Sequence, residues 1–181
     1  RPRAETLALM ALFSEYLSEE VTRCLQHGIR LSVVGRRDRL PPSLRRHVQR
    51  AEAATASGCR LHLRLAIDYS ARDAIWCAVE RLVEDRRASR EEFSARLRSG
   101  RGELVDVPDV DLLIRTGGEQ RLSDFLLWES AYAELCFLDV AWPDFTAEHF
   151  RQALDIYATR ERRFGLIERS TAAVGSAASG R

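Results

Sequence analysis

Apolar positions near the start of the chain recur with a helical period. Leu7, Met10, Phe13, Leu17, Val21, Cys24 and Leu25 fall on one face, which predicts a long amphipathic helix over residues 4–27. His27-Gly28 ends it, with glycine in the left-handed closing position. The period then shortens. IRLSVVG (29–35) alternates and turns fully apolar, which predicts a buried strand. In RRDRLPPS, Pro41-Pro42 disfavours helix at the residue before each proline, so a helix is predicted only over 43–56, stopped by Gly58. CRLHLRLAIDYS (59–70), apolar at 61, 63, 65 and 67, predicts a second strand. Helices over 71–87 and 90–98 follow, then the loop GRGELVDVP. VDLLIRTGG (110–118) reads as a third strand, short and apolar enough for a parallel sheet. A helix is predicted over 122–134, and LCFLDVAWPDF reads as a fourth strand closed by Pro143. A last amphipathic helix is predicted over 146–163, and AAVGSAASGR is expected to be a disordered tail.

Strands separated by helices of this length imply βαβ units. The fold class is therefore α/β, a mostly parallel sheet with helices on both faces. One domain is expected over residues 1–165, with 166–181 as a flexible tail. Ligands of such sheets bind outside the carboxyl ends of the strands. Three polar clusters fall there: Arg36-Arg37-Asp38, Asp68-Tyr69-Ser70-Ala71-Arg72, and Arg115-Thr116-Gly117-Gly118. The chain opens directly on a helix, and Pro2 suits a helix start. Doubly wound domains usually begin with a strand, so residues 1–181 are expected to be the back part of a domain.

Composition changes this picture little. A chain of 181 residues with 45% hydrophobic content supports a sizeable core. The formal net charge of +1 gives no electrostatic footprint for nucleic acid. All 28 basic residues are arginine, and asparagine is absent too, a usage expected of a GC-rich genome. Cys24, Cys59, Cys77 and Cys136 form no CxxC pair and have no metal spacing with the histidines. They read as small buried residues of a reducing cytosol. No apolar run approaches 18 residues and no signal peptide is visible, so a cytoplasmic location is expected.

Arg115, Arg121 and Ser123 are the first candidates for chemistry. Gly117-Gly118 lets the backbone turn tightly, and a following helix would offer N–H groups and a positive dipole end near residues 121–124. Two guanidiniums and a hydroxyl there suit a diphosphate. The same residues also suit surface ion pairs around an ordinary Ser123 or Asp124 N-cap. Glu134 reads as a solvated helix end, or as a Mg²⁺ ligand if phosphate lies nearby. RERRFG (160–165) fits dipole complementation at a helix end, or a second phosphate clamp with Gly165 freeing the backbone. Trp128, Tyr132, Phe137 and Trp142 read as core. His47, His62 and His149 read as surface or packing residues. GxGxxG and GxxxxGK[ST] are both absent, which disfavours a plain nucleotide module.

The run DLLIRTGGEQRLSDFLLWESAYAELCFLDVAWPDF, taken with RERRFG, resembles the C-terminal half of the cis-prenyltransferases, the undecaprenyl diphosphate synthase family. The resemblance extends back to RPRAETLALMALF. It implies the following roles. Arg115, Arg121 and Ser123 would hold the diphosphate of isopentenyl diphosphate, with Leu122 adding backbone contact. Glu134 would help bind Mg²⁺. Arg163 and Gly165 would reach a partner subunit's site, which implies a homodimer. Arg1 would touch the allylic diphosphate. The first helix and the strand at 59–67 would line a tunnel for the growing chain. The implied activity is Mg²⁺-dependent condensation of isopentenyl diphosphate, or a second C5 diphosphate, with an allylic diphosphate to a cis-prenyl diphosphate. The partners are these substrates, with no nucleic acid, no transmembrane segment, and peripheral membrane contact left open. The family's catalytic Asp would lie upstream of residue 1. Departures fall at the strand ends: Gly35-Arg36 for Gly-Asp, Asp68-Tyr69-Ser70-Ala71-Arg72 for N-Y-G-G-R, and Gln120 for a frequent His. They leave open a short-chain member, including irregular coupling of two dimethylallyl diphosphates as in lavandulyl-type synthases. A non-catalytic partner subunit of the same fold is the other alternative.

Overall fold

The computed structural model describes residues 2–86, 89–99 and 107–160. The chain divides into two compact units: Arg1–Asp111 with Gln120–Ala133, and Leu112–Glu119 with Glu134–Arg181. In the first unit, α1 (Arg3–His27) ends on Gly28, whose left-handed N–H closes onto Cys24 and Leu25 carbonyls. β1 (Ile29–Val34) follows without a loop, then α2 (Pro42–Thr55), β2 (Leu61–Ala66), α3 (Ala71–Glu84) and α4 (Arg90–Ser99). β1 and β2 pair in parallel, with Ile29 opposite Leu61 and Val34 opposite Ala66. The core sits between α1, α2 and β1, where Leu17, Leu31, Val33, Leu44 and Val48 are buried. Each such side chain contributes roughly 2 kcal/mol of transfer free energy.

Side chains close the edge of β1 that does not face β2. Thr55 Oγ1 accepts from Leu31 N–H at 3.1 Å, and Glu52 Oε1 accepts from Val33 N–H at 2.8 Å. Arg37 bridges Glu52 and the Val33 carbonyl. Backbone groups that would otherwise template another strand are thereby satisfied.

In the second unit, β3 (Leu112–Arg115) and β4 (Glu134–Phe137) pair in parallel, Leu112 opposite Glu134, and α5 (Ala147–Thr159) follows a 3₁₀ turn at Trp142–Asp144. Thr146 and His149 form a capping box at the start of α5, which accounts for His149. His47 bonds Ser14 at 2.7 Å and His62 bonds Ser32 at 2.8 Å, so both are packing residues as expected.

Four expectations need correction. Residues 122–133 form a chain of turns, not a helix. Ser123, Asp124 and Leu126 take positive φ values of 48°, 63° and 45°, which a right-handed helix excludes. The strands are also shorter than predicted. Nor are the aromatic residues all core: Tyr132 is 82% exposed and Trp142 74%, and Trp128 is exposed too. Without a helix, the 122–133 stretch has no single inward face. Trp128 instead meets Phe93 edge-on at 4.9 Å, and Trp142 stacks on Phe145. Among the cysteines, Cys24 and Cys136 are buried, but Cys59 is exposed because it stands in the turn ahead of β2, and Cys77 is half-buried. The tail at 166–181 and residues 161–165 lie outside the described residues.

Candidate functional site

The carboxyl ends of β1 and β2 are cross-linked. Arg36 N–H donates to the Asp68 carbonyl at 3.2 Å, and Ile67 N–H to the Val34 carbonyl at 2.9 Å. Gly35 makes the crossing possible: its φ is 113°, and a Cβ there would collide with the Ile67 carbonyl. Arg36 grips Asp38 through two donors, at 3.0 and 2.8 Å, which holds its guanidinium pKa above the ordinary value. Arg39 reaches Asp68 at 3.3 Å.

A groove of about 1030 Å³ runs along the strands on the α1 side. Its walls are Leu9, Met10 and Phe13 of α1 with Leu63 and Leu65 of β2 and Ile67 beyond it. It extends from the Arg39–Asp68 pair at the carboxyl end of the strands towards Cys24 and Ile29 at their start. The expectation that the first helix and second strand together line an apolar channel agrees with this geometry.

A second cavity, of about 210 Å³, lies among Arg64, Tyr69, Cys77, Leu97, Phe125 and Glu129. Glu129 is 6% exposed, and its Oε2 makes no hydrogen bond among the described residues. Burial pushes its carboxyl pKa up, against the pull of Arg64 and Arg98. Tyr69 is pushed up to about 12 by burial and by Glu129.

Residues 120–133 are fastened to α3. Ser70 Oγ donates to the Asp124 carboxylate at 2.6 Å, Arg72 N–H donates to the other carboxylate oxygen at 3.0 Å, and Ala71 N–H donates to the Asp124 carbonyl at 2.9 Å. These bonds, the Ser70 one foremost, hold the Asp124 carboxyl below the ordinary aspartate range. Arg121 and Ser123 stand exposed just before this anchor, with Leu122 half-buried between them.

In the β3–β4 unit, Arg115 ends β3 and Gly117-Gly118 turn with φ of 88° and 72°. Their N–H groups are already used, on the Val140 carbonyl at 2.8 Å and the Leu138 carbonyl at 3.0 Å. The glycine pair therefore shapes the turn but does not offer these donors to an anion, and no helix dipole starts at 121–124. Glu134 is the first residue of β4, not a helix end, and accepts from Arg160 Nη1 at 2.7 Å.

Arg115 and Glu134 thus belong to the β3–β4 unit, and Arg121, Leu122 and Ser123 to the other. Arg1, Arg163 and Gly165 lie outside the described residues. Sequence reasoning read Asp124 only as an N-cap of its own segment and Arg160 only as part of RERRFG, and missed their partners, Ser70 with Arg72 and Glu134. The pattern Ser70-x-x-Asp73 marks the start of α3, but nothing local points from there to a residue 54 positions away. No group of three or more His, Cys, Asp or Glu able to hold a metal occurs among the described residues.

The prenyltransferase family model, described as undecaprenyl diphosphate synthase, matches residues 1–165. The chain belongs to this family. Among its relatives, isoprenyl transferase 1 of Bradyrhizobium diazoefficiens is 52% identical over 168 residues, 93% of this chain and 67% of that protein. The farnesyl-diphosphate-specific ditrans,polycis-undecaprenyl-diphosphate synthase of Xanthomonas axonopodis pv. citri is 45% identical, covering 92% of this chain and 66% of that one. The chain thus spans about two thirds of these curated relatives. Two solved members of the fold agree. A probable undecaprenyl diphosphate synthase from Campylobacter jejuni superposes with a TM-score of 0.81 at 32% identity, covering 91% of this chain and 76% of that one. Lavandulyl diphosphate synthase from Lavandula x intermedia, solved with dimethylallyl diphosphate, gives 0.83 at 31%, covering 91% and 73%. The chain therefore has the undecaprenyl diphosphate synthase fold, an α/β architecture with parallel strands.

Proposed function

We propose that this chain carries the chain-binding and isopentenyl-binding part of an enzyme that condenses isopentenyl diphosphate with an allylic diphosphate. The observation that carries the reading is the apolar groove between α1 and β2, which suits a growing hydrocarbon tail. At about 1030 Å³ the groove sits at the upper end of the range for small-molecule sites, and aliphatic and aromatic side chains line most of it.

In this reading Arg115, Arg121 and Ser123 hold the diphosphate of isopentenyl diphosphate, helped by Leu122 backbone. Arginine suits the task because its planar fork meets phosphate oxygens through paired donors. Arg1 contacts the allylic diphosphate, and Arg163 with Gly165 serves a partner subunit's site in a homodimer. Glu134 is the candidate Mg²⁺ ligand. A lone carboxylate fits Mg²⁺, which is commonly held by one or two carboxylates and substrate phosphates. Its ion pair with Arg160 is half-exposed and cheap to break. When bound, Mg²⁺ supplies positive charge to the diphosphate oxygens. The groove walls exclude water from the carbocation that forms as the allylic diphosphate leaves. A reducing cytoplasm suits four cysteines without a disulfide. No helix among the described residues is long and apolar enough to cross a membrane.

The test is incubation of the full-length protein with labelled isopentenyl diphosphate, an allylic primer and Mg²⁺. Products longer than the primer are expected, with synthesis stopping on chelation and returning with added Mg²⁺. Absence of elongation from every primer would sink the reading. Coupling of dimethylallyl diphosphate alone would move it to the irregular, lavandulyl-type reaction, and a complete protein active only with a second subunit would mark a partner role.

A further inference from the structure

We propose that Asp124 is a positioning residue that sets the Arg121–Ser123 loop for diphosphate before substrate arrives. This rests on the reading of Arg121 and Ser123 as isopentenyl diphosphate contacts. The loop has a backbone that its own residues disfavour. Ser123 and Leu126 take left-handed φ values that such side chains rarely adopt, and Asp124 between them does too, where aspartate is better tolerated. Such a conformation persists only where neighbours over-determine it.

Asp124 supplies that constraint from one side chain and one carbonyl. Its two carboxylate oxygens accept from Ser70 Oγ at 2.6 Å and Arg72 N–H at 3.0 Å, and its carbonyl accepts from Ala71 N–H at 2.9 Å. Ser70 Oγ in turn accepts from Asp73 N–H at 3.1 Å, capping α3. The first three N–H groups of this 14-residue helix are therefore satisfied by Asp124 and its hydroxyl partner. Phe125 adds a ring contact, edge-on to Tyr69 at 5.6 Å. The binding loop and the helix start thus hold each other.

The charge is the telling feature. A carboxylate one residue from a diphosphate contact would repel the ligand if left in solvent. Here it is spent on the positive end of α3. Fixing the loop in its binding conformation lowers the ordering cost that the substrate would otherwise meet.

The experiment measures binding of isopentenyl diphosphate and of dimethylallyl diphosphate, each alone, to the full-length protein by calorimetry. Asp124→Ala is expected to weaken isopentenyl diphosphate about tenfold, the effect of a lost cap, and the allylic ligand less than about twofold. Asp124→Asn keeps both side-chain contacts by reversing one donor, since Ser70 Oγ can accept from the amide, and is expected to restore most of the affinity. A residue that only supports the fold would weaken both ligands together. Equal loss of both, or none, with Arg121→Ala still weakening isopentenyl diphosphate, overturns the proposal. No effect from Arg121→Ala overturns the site reading itself. If Asp124→Ala does not fold, Ser70→Ala decides: the same selective loss, smaller, supports the proposal, and wild-type binding refutes it.

Discussion

At the scale of single residues, the strand ends are where backbone geometry and chemistry meet. Gly35 lets β1 turn into the Arg36–Arg39 segment while Asp68, itself at φ 49°, caps β2 from the other side. Any side chain at 35 meets two penalties at once, a left-handed φ and a clash with the Ile67 carbonyl. Gly35→Ala is therefore expected to cost on the order of 3 kcal/mol, read as a lower urea midpoint at unchanged slope. A loss below about 1 kcal/mol, the scale of a tolerated glycine replacement, would contradict this account of the turn. Polar side chains here are mostly engaged with one another. Arg36 holds Asp38, Arg39 holds Asp68, and Glu134 holds Arg160.

At the scale of elements, the sequence was readable wherever local period and tertiary packing agree. Among the described residues, five α-helices and four strands are each foreseen, with shorter strands; in α1, β1 and α2 the buried faces at 17, 24, 31, 33, 44 and 48 repeat with the period of their element. The exception is residues 122–133, where a helix-like run of apolar residues yields to turns. Local propensity favours helix there, but Asp124 is bound to α3, and Val110 N–H donates to the Glu129 carbonyl at 2.9 Å. Those contacts connect residues far apart in the chain, which a reading by period cannot see. The same limit applies to the site. Arg115, Arg121 and Glu134 stand out as residue types, but the pairing of Glu134 with Arg160 and the side-chain closure of β1 emerge only from folding. The α1–β2 groove, by contrast, follows from two amphipathic elements whose apolar faces exceed what the core can cover: Leu9, Leu12 and Tyr16 of α1 are exposed. Leu9→Trp is expected to narrow that groove and shift the product distribution to fewer isoprene units, with little loss of stability at so exposed a position. Chromatography of the dephosphorylated products checks it, and an unchanged distribution would separate product length from this groove.

At the scale of the whole chain, stability against pH follows from an unusual charge set. All 28 basic side chains are arginine, so they keep their charge across the accessible range, and acidification removes only the opposing carboxylates. Carboxyls held low in the native state, such as Asp124, contribute stability above the ordinary aspartate pKa that is lost as pH falls. Glu129 works in the opposite direction. Burial beside Tyr69, with one oxygen unbonded among the described residues, raises its pKa above the ordinary glutamate value, so the native state binds its proton more tightly than the unfolded chain does. Its contribution is therefore most favourable at low pH and declines as pH rises above about 4.3, the unfolded value. Glu129→Gln removes the charge and keeps the shape. It should stabilise the chain by about 1 kcal/mol at pH 7, the scale of a buried unsatisfied group, and the gain should vanish below about pH 4. Urea unfolding of both proteins across that range, at constant slope, measures the difference. A gain independent of pH would mean that packing, not ionisation, separates them. A loss at pH 7 would mean that Arg64 and Arg98 need the negative charge more than the cavity resists it.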